Sequence, residues 1–183
     1  MYWESIQGFF NFDNIYSRMV YSAKSESVFV EIGSWKGRSS VFMAEKIKES
    51  GKNIEFYVID TFEGTENEHE EYDEIKNKSL YDVYLKNIDP VKSYIKTIRG
   101  SSLDVHSQFG DNSIDFLFID GDHTYKGVRN DLRNWFPKVK SGGIIAGHDY
   151  TEPTCGVKMA VDEFFLFTGI EVNRSSWVFN KRL

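Results

Sequence analysis

Apolar positions along the chain fall into two alternating registers. Short, mainly apolar runs, SVFVEIG (27–33), IEFYVID (54–60), SYIKTIRG (93–100), IDFLFID (114–120) and GGIIAGHD (142–149), suit buried strands, and each ends in Gly or a carboxylate. Between them SSVFMAEKIKES (39–50), SSLDVHSQF (101–109) and GVRNDLRNWFPKV (127–139) carry a helical period, as does GVKMAVDEFFLF (156–167). EVNRSSWVFNKR (171–182) reads as a closing pair of strands. This alternation predicts an α/β fold: a doubly wound, mostly parallel seven-stranded sheet with an antiparallel strand near the C-terminus. Residues 1–26 predict a helical cap, with Phe9, Phe10, Ile15 and Met19 on its packing faces. Trp135 and Phe136, just before Pro137, are expected to anchor the end of a helix in the core. No internal repeat or low-complexity linker interrupts the pattern, so residues 1–183 read as one domain.

One segment breaks the rhythm. Residues 61–90 carry seven carboxylates between Glu63 and Glu74. The plain reading is a solvated surface; the other is an acidic lid, because the segment follows the C-terminal end of the second strand, the edge on which open α/β sheets bind ligands. Tyr72, Ile75, Tyr81, Tyr84 and Leu85 would give it an apolar stripe for packing.

Composition narrows the function classes. The net charge is −6 and no Lys/Arg block stands out, so a phosphate backbone is a poor partner and no nucleic acid is expected. A single cysteine, Cys155, excludes an intrachain disulfide and a multi-cysteine zinc site, and fits a reducing cytoplasm. No run reaches the roughly 18 apolar residues of a membrane span, and MYWESIQGFFNFD lacks a basic leader, so no membrane partner is expected.

The candidate chemistry begins at FVEIGSWKGRSS (29–40). Gly33 and Gly37 would shape a turn after the first strand, and a helix starting near Ser39 would offer N–H groups and partial positive charge to an anion. The loop lacks the middle glycine of a dinucleotide fingerprint, where Trp35 stands, and lacks the G-K-[ST] of a phosphate loop, since Arg38 follows Gly37. Glu31 would repel phosphate and attract an ammonium, so a ligand with both an ammonium and a carboxylate suits the pair.

EIGSWKGRSSVFMA resembles the first motif of class I S-adenosylmethionine-dependent methyltransferases, E/D-x-G-x-x-x-G. It is similar above all to the catechol O-methyltransferase type, in which an aromatic, a glycine and a serine are spaced as Trp35, Gly37 and Ser39 are. The resemblance implies S-adenosylmethionine as cofactor, with Glu31 and Ser39 on its methionine end and Gly33, Trp35 and Gly37 shaping the loop. It further implies that Asp60 accepts the ribose hydroxyls, that Thr61 and Phe62 lie beside the ribose and adenine, and that Ser101 and Ser102 after Gly100 form the adenine edge. As plain features, Asp60 would be a helix cap and the serines N-caps.

LFIDGDHTYKGVRNDLRNWFPKVKSGGIIAGHDY (117–150) resembles the signature of metal-assisted O-methyltransferases that act on macrolide-sugar hydroxyls. Asp120 ends the fourth strand, and His148 with Asp149 ends the fifth, so three potential ligands converge on one rim. Such a set suits Mg²⁺, while His148 admits Mn²⁺, Fe²⁺ or Zn²⁺. Asp120 is counted with the cofactor residues as well. His123 lies where related enzymes place a catalytic base, and Asp122 is its rival; an unperturbed imidazole pKa of about 6.5 favours His123. The expected activity is methyl transfer to a hydroxyl of a small molecule or sugar. The alternatives are a non-catalytic cofactor-binding module and a nicotinamide-dependent oxidoreductase. The N-terminal elements are short for these families, which implies an open acceptor pocket or one completed by a second chain in a homo-oligomer.

Overall fold

Seven strands form one sheet in the order β3-β2-β1-β4-β5-β7-β6. They are β1 (Val28–Ile32), β2 (Glu55–Asp60), β3 (Lys96–Arg99), β4 (Ile114–Ile119), β5 (Val139–Gly147), β6 (Ile170–Asn173) and β7 (Ser176–Asn180). β1 to β5 pair in parallel, β7 runs antiparallel to β5, and β6 is antiparallel to β7, as the sequence pattern predicts. The computed structural model describes residues 1–64, 71–152 and 156–182; Glu66, Glu68 and Glu70 of the acidic run, and Cys155, lie outside these.

Both faces of the sheet are buried, which is why its strands read as nearly continuous apolar runs. Phe29, Phe56, Val58, Phe116, Phe118 and Ala146 pack under α1 (Asp13–Ser22), α2 (Arg38–Ser50) and α3 (Leu80–Ile88). Val30, Ile32, Ile59, Leu117, Ile119 and Ile145 face the other way, under α4 (Tyr125–Trp135) and α5 (Val157–Phe164). The N-terminal segment is stitched to the first face by rings: Phe12 lies 4.4 Å from Phe118, and Tyr16 lies 5.0 Å from Phe118 and 5.9 Å from Phe116. α2 runs between two left-handed glycines, Gly37 and Gly51. Among the described residues, no helix is long and apolar enough to cross a membrane.

Several expectations are corrected. Residues 101–109 form only a single helical turn (Ser102–Val105) and a 3₁₀ turn (His106–Gln108), because the stretch offers the core only Val105 and, at its end, Phe109, and so short a helix is marginal unaided. The fifth strand, expected to begin at Gly142, begins three residues earlier at Val139, and meets β4 through a register shift between Ile114 and Phe116. In the helical cap Phe9 is 86% exposed, and in the lid segment Leu85 falls off the buried stripe formed by Ile75, Leu80, Tyr84 and Ile88. Trp135 is fully buried, as expected.

The chain segments just beyond the C-terminal ends of β1 and β4 are in close backbone contact. A Cβ on Gly33 would lie 2.0 Å from the Asp120 carbonyl oxygen and 2.7 Å from the Gly121 nitrogen, and Gly33 has φ +86°. Gly51 is equally left-handed, at φ +66°, with nothing within 4 Å of such a Cβ. Gly51→Ala is therefore expected to cost about 1 kcal/mol from backbone strain alone. Gly33→Ala is expected to cost at least about 3 kcal/mol, because the β1–β4 contact must open. Urea unfolding of the two variants checks this, and equal costs would refute the close approach.

Candidate functional site

Strand alternation continues into the loops at the C-terminal rim. Glu31 shares the face of Phe29, Asp60 that of Val58, Asp120 that of Phe118 and His148 that of Ala146, all on the side covered by α1 and α2. Four ionisable groups from four strands are thereby gathered beneath one layer.

Asp60 organises the glycine loop. Its Oδ2 accepts the backbone N–H groups of Ser34 (2.7 Å) and Trp35 (2.9 Å), its Oδ1 accepts that of Phe62 (2.7 Å), and Gly37 N–H bonds Ser34 O at 2.8 Å. The amides of Ser34, Trp35 and Gly37 are thus bonded within the protein rather than aimed at a ligand. Trp35 is held at φ +51°. Gly37 serves packing: a Cβ there would meet Tyr84 at 3.0 Å and Ile88 at 3.3 Å, so its bareness lets α3 approach α2. Buried Lys36 donates to Gln7 Oε1 (2.8 Å) and Glu74 Oε1 (2.7 Å) and lies 4.6 Å from the Trp35 ring. Its hydrogen bond holds the Glu74 carboxyl below the usual range. The described part of the acidic segment is thus docked on the glycine loop.

Glu31 is buried, with Tyr16 donating to Oε1 at 2.7 Å and Ser40 donating to Oε2. Burial pushes its carboxyl up to about 7, against the hydroxyl bonds of Ser39, Ser40 and Tyr16, and the charge of Asp120 adds to the rise. Burial likewise raises Tyr16 well above an ordinary phenol. Ser39 therefore sits with Glu31, as the sequence motif implies, while Tyr16 and Ser40 join the site without being anticipated. Tyr16 follows Ile15 on an apolar helix and carries no signal of its own.

Asp120, His123 and Asp149 converge, with one donor atom from each within 4.8 Å of the others. His123 Nε2 lies 3.6 Å from Asp120 Oδ1 and 3.2 Å from Asp149 Oδ2. His148, expected as the third ligand, takes another place: its Nδ1 meets Asp149 Oδ1 at 3.0 Å, its Nε2 meets Asn11 Oδ1 at 2.9 Å, and Asp120 is 3.9 Å away. Burial lowers His148, but the Asp149 hydrogen bond and the two carboxylate charges outweigh it and raise its pKa. Burial raises Asp149, and the His148 bond with both imidazole charges leaves it below the ordinary range. Asp122 turns away from this group: it is exposed, and its Oδ1 accepts the Thr124 N–H at the start of α4.

The remaining candidates divide. Thr61 is half-buried, and its hydroxyl accepts the Glu63 N–H at 3.3 Å. The Phe62 ring, expected beside the ribose, is instead buried against Tyr81 and Tyr84, at 4.8 and 4.6 Å. Ser101 is an N-cap that accepts the Leu103 N–H, while Ser102 donates to Asp131 Oδ1 at 2.5 Å. Asp131, pushed up to about 6 by burial, was legible in principle: an acid on the stripe Val128, Leu132, Trp135 must face the core. Two open clefts, of about 270 and 390 Å³, lie elsewhere on the molecule and are lined by none of these residues.

Comparisons with known proteins place the chain by sequence and by fold. The chain is 32% identical over 131 residues to the uncharacterized protein R132 of Acanthamoeba polyphaga mimivirus, covering 70% of this chain and 54% of that one. It is 27% identical over 120 residues to the uncharacterized protein y4gI of Sinorhizobium fredii, covering 66% of this chain. The chain spans about half of the first relative and 13% of the second. The O-methyltransferase NovP superposes with a TM-score of 0.71 at 20% identity, over 93% of this chain and 79% of its own, a likeness of fold. The nicotinamide oxidoreductase alternative falls with the internally bonded loop amides and with a methyltransferase-domain family model that matches residues 30–150. With more than half its length so matched, and with the seven-stranded Rossmann-like fold of S-adenosylmethionine-dependent methyltransferases, the chain belongs to the methyltransferase-domain family.

Proposed function

We propose that the chain is an S-adenosylmethionine-dependent O-methyltransferase acting on a hydroxyl of a small molecule or sugar, with a divalent ion held by Asp120 and Asp149 and with His123 as general base. The observation that carries this reading is the convergence of Asp120, His123 and Asp149 on the rim beside the glycine loop. The donor set fits an ion such as Mg²⁺ or Mn²⁺: Asp120 and Asp149 bring carboxylate oxygens within 4.8 Å of one another, and carboxylate oxygen is the ligand type these hard ions take. NovP supports a hydroxyl acceptor at the level of fold. The net charge of −6 supports a small acceptor over nucleic acid. A cytoplasmic location and a homo-oligomer that completes the acceptor pocket belong to the same reading.

When bound, S-adenosylmethionine would supply a sulfonium methyl, and the ion would acidify and orient the acceptor hydroxyl. The protein's own groups would do the rest. Glu31, ionising as it meets the ammonium, would hold the methionine end together with Ser39. Asp60, fixed by three N–H donors, would present its carboxylate to the ribose. The acceptor oxygen would bond to the methyl carbon as the carbon–sulfur bond breaks, leaving a neutral thioether, and the hydroxyl proton would pass to the His123 imidazole. The grouping of His123 Nε2 with the two acids favours one second reading, in which His123 is a third metal ligand.

His123→Ala separates the two roles. As a base, its loss is expected to lower turnover about 10²- to 10⁴-fold and leave Mn²⁺ affinity unchanged. As a ligand, its loss is expected to weaken Mn²⁺ by more than about tenfold. Methyl transfer to a panel of catechol and sugar hydroxyls, with calorimetry of Mn²⁺, reads both; full turnover in His123→Ala and Asp120→Asn would refute the mechanism. A wild-type chain that binds S-adenosylhomocysteine but methylates nothing in the panel would point to a non-catalytic module.

Glu31 gives a pH signature. Its folded pKa of about 7 lies above its value of 4.5 in the unfolded chain, so below pH 4.5, where the group is protonated in both states, it carries no ionisation penalty. Stability is then lost progressively up to pH 7, by about 3 kcal/mol in all. Glu31→Gln is expected to remove that slope, so that its stability relative to wild type rises across this window, and to weaken S-adenosylhomocysteine binding. Thermal unfolding at a series of pH values checks it; parallel pH profiles would sink the assignment.

A further inference from the structure

His148 is 8% exposed, and three contacts fix its ring. Its Nδ1 faces Asp149 Oδ1 at 3.0 Å, its Nε2 donates to Asn11 Oδ1 at 2.9 Å, and the Phe12 ring lies 5.2 Å away at 53°. Asp149, held at φ +57°, turns its other oxygen, Oδ2, toward His123 Nε2 at 3.2 Å. A continuous chain therefore runs from Asn11 through His148 and Asp149 to His123. Asn11 is itself held at two further points: Arg174 donates to its carbonyl oxygen at 2.7 Å, and its Nδ2 donates to Ser175 Oγ at 3.4 Å. The same turn is joined to the residue after Asp149, since Tyr150 N–H bonds Ser175 O at 2.8 Å.

The geometry points to Asn11 as a positioning residue for the metal centre: it fixes the His148 ring, which in turn fixes the Asp149 carboxylate that faces Asp120 and His123. This rests on the proposal that Asp120 and Asp149 hold a divalent ion, and it is independent of whether His123 is base or ligand. The physical reason is orientation. A carboxylate whose second oxygen is hydrogen-bonded keeps one rotamer when the ion arrives, whereas an untethered one must be ordered at that moment. Asn11 thereby couples the β6–β7 turn and an N-terminal segment more than a hundred residues away in sequence to the centre.

Calorimetric titration with Mn²⁺ of wild type, Asn11→Ala and Asn11→Asp tests this, alongside S-adenosylhomocysteine affinity and Tm. Asn11→Ala is expected to weaken Mn²⁺ binding about tenfold or more, while S-adenosylhomocysteine affinity changes less than about twofold. Asn11→Asp keeps an acceptor oxygen toward His148 and is expected to restore Mn²⁺ affinity to within about threefold of wild type. Equal Mn²⁺ affinity in wild type and Asn11→Ala would overturn the role of Asn11 and leave the metal centre standing. Mn²⁺ and S-adenosylhomocysteine affinity falling together with Tm, without rescue by Asn11→Asp, would make Asn11 structural only and overturn its role as well. A wild-type protein that binds no Mn²⁺ would overturn the metal centre, and this role with it.

Discussion

The contact on which the site depends is the one between the backbones of Gly33 and Asp120. Two parallel strands that leave the sheet in different directions must diverge after their last shared hydrogen bond, and here Asp120 N–H still bonds Ile32 O at 2.7 Å. With no side chain at Gly33, the glycine loop turns one way and the 120–123 loop the other from nearly the same point. Sheet order changes direction at this junction, because β1 is flanked by β2 on one side and β4 on the other, and a crevice opens where the crossovers part. Asp120, counted with both groups, stands at the junction; the other residues that the motifs imply for the cofactor lie on the β1–β2 side of it, and those proposed for the metal on the β4–β5 side.

Acidic groups crowd this rim, and the fold handles each by a different physical means. Asp60 is stabilised by three backbone N–H donors. Glu31 has hydroxyl donors only, so burial wins and its carboxyl rises to about 7. Asp149 is offset by imidazoles on two sides. These differences suit different ligands: a fixed carboxylate for hydroxyl groups, a near-neutral acid that ionises on meeting an ammonium, and paired carboxylates for a cation. The acid on the buried face of α4, Asp131, extends the same logic to the loop after β3 by taking the Ser102 hydroxyl.

The elements outside the parallel core close the rim. Residues 7–12 and α1 cross the face of the sheet and deliver Asn11, Phe12 and Tyr16 onto His148 and Glu31, and Arg174 and Ser175 in the β6–β7 turn clamp that crossing. The lid candidate is tied to the same layer through Lys36 and Glu74, a pair whose separation would leave a buried ammonium with Gln7 as its remaining side-chain acceptor. Phe9, expected in the core, stands exposed in this crossing segment.

The sequence alone determined the sheet and the rim. Buried parallel strands need uninterrupted apolar runs, and their ends are marked by Gly33, Asp60, Gly100, Asp120 and Asp149, so the strand count, the antiparallel seventh strand and the convergence of acids were readable from period and punctuation. The motif around Glu31 and the stretch 117–150 pointed to the methyltransferase family as well. Tertiary structure decided which side chains complete each group. His123 joins the two acids from the β4 loop while His148 is shared between Asp149 and Asn11, Asp122 bonds the amide of Thr124 ahead of a helix, Gly37 makes room for Tyr84, and Phe62 turns inward. Asn11 and Tyr16 gave no signal, because what they do depends on partners 137 and 15 residues away that only packing brings within reach, and local pattern records the element a residue belongs to, not the neighbour it meets.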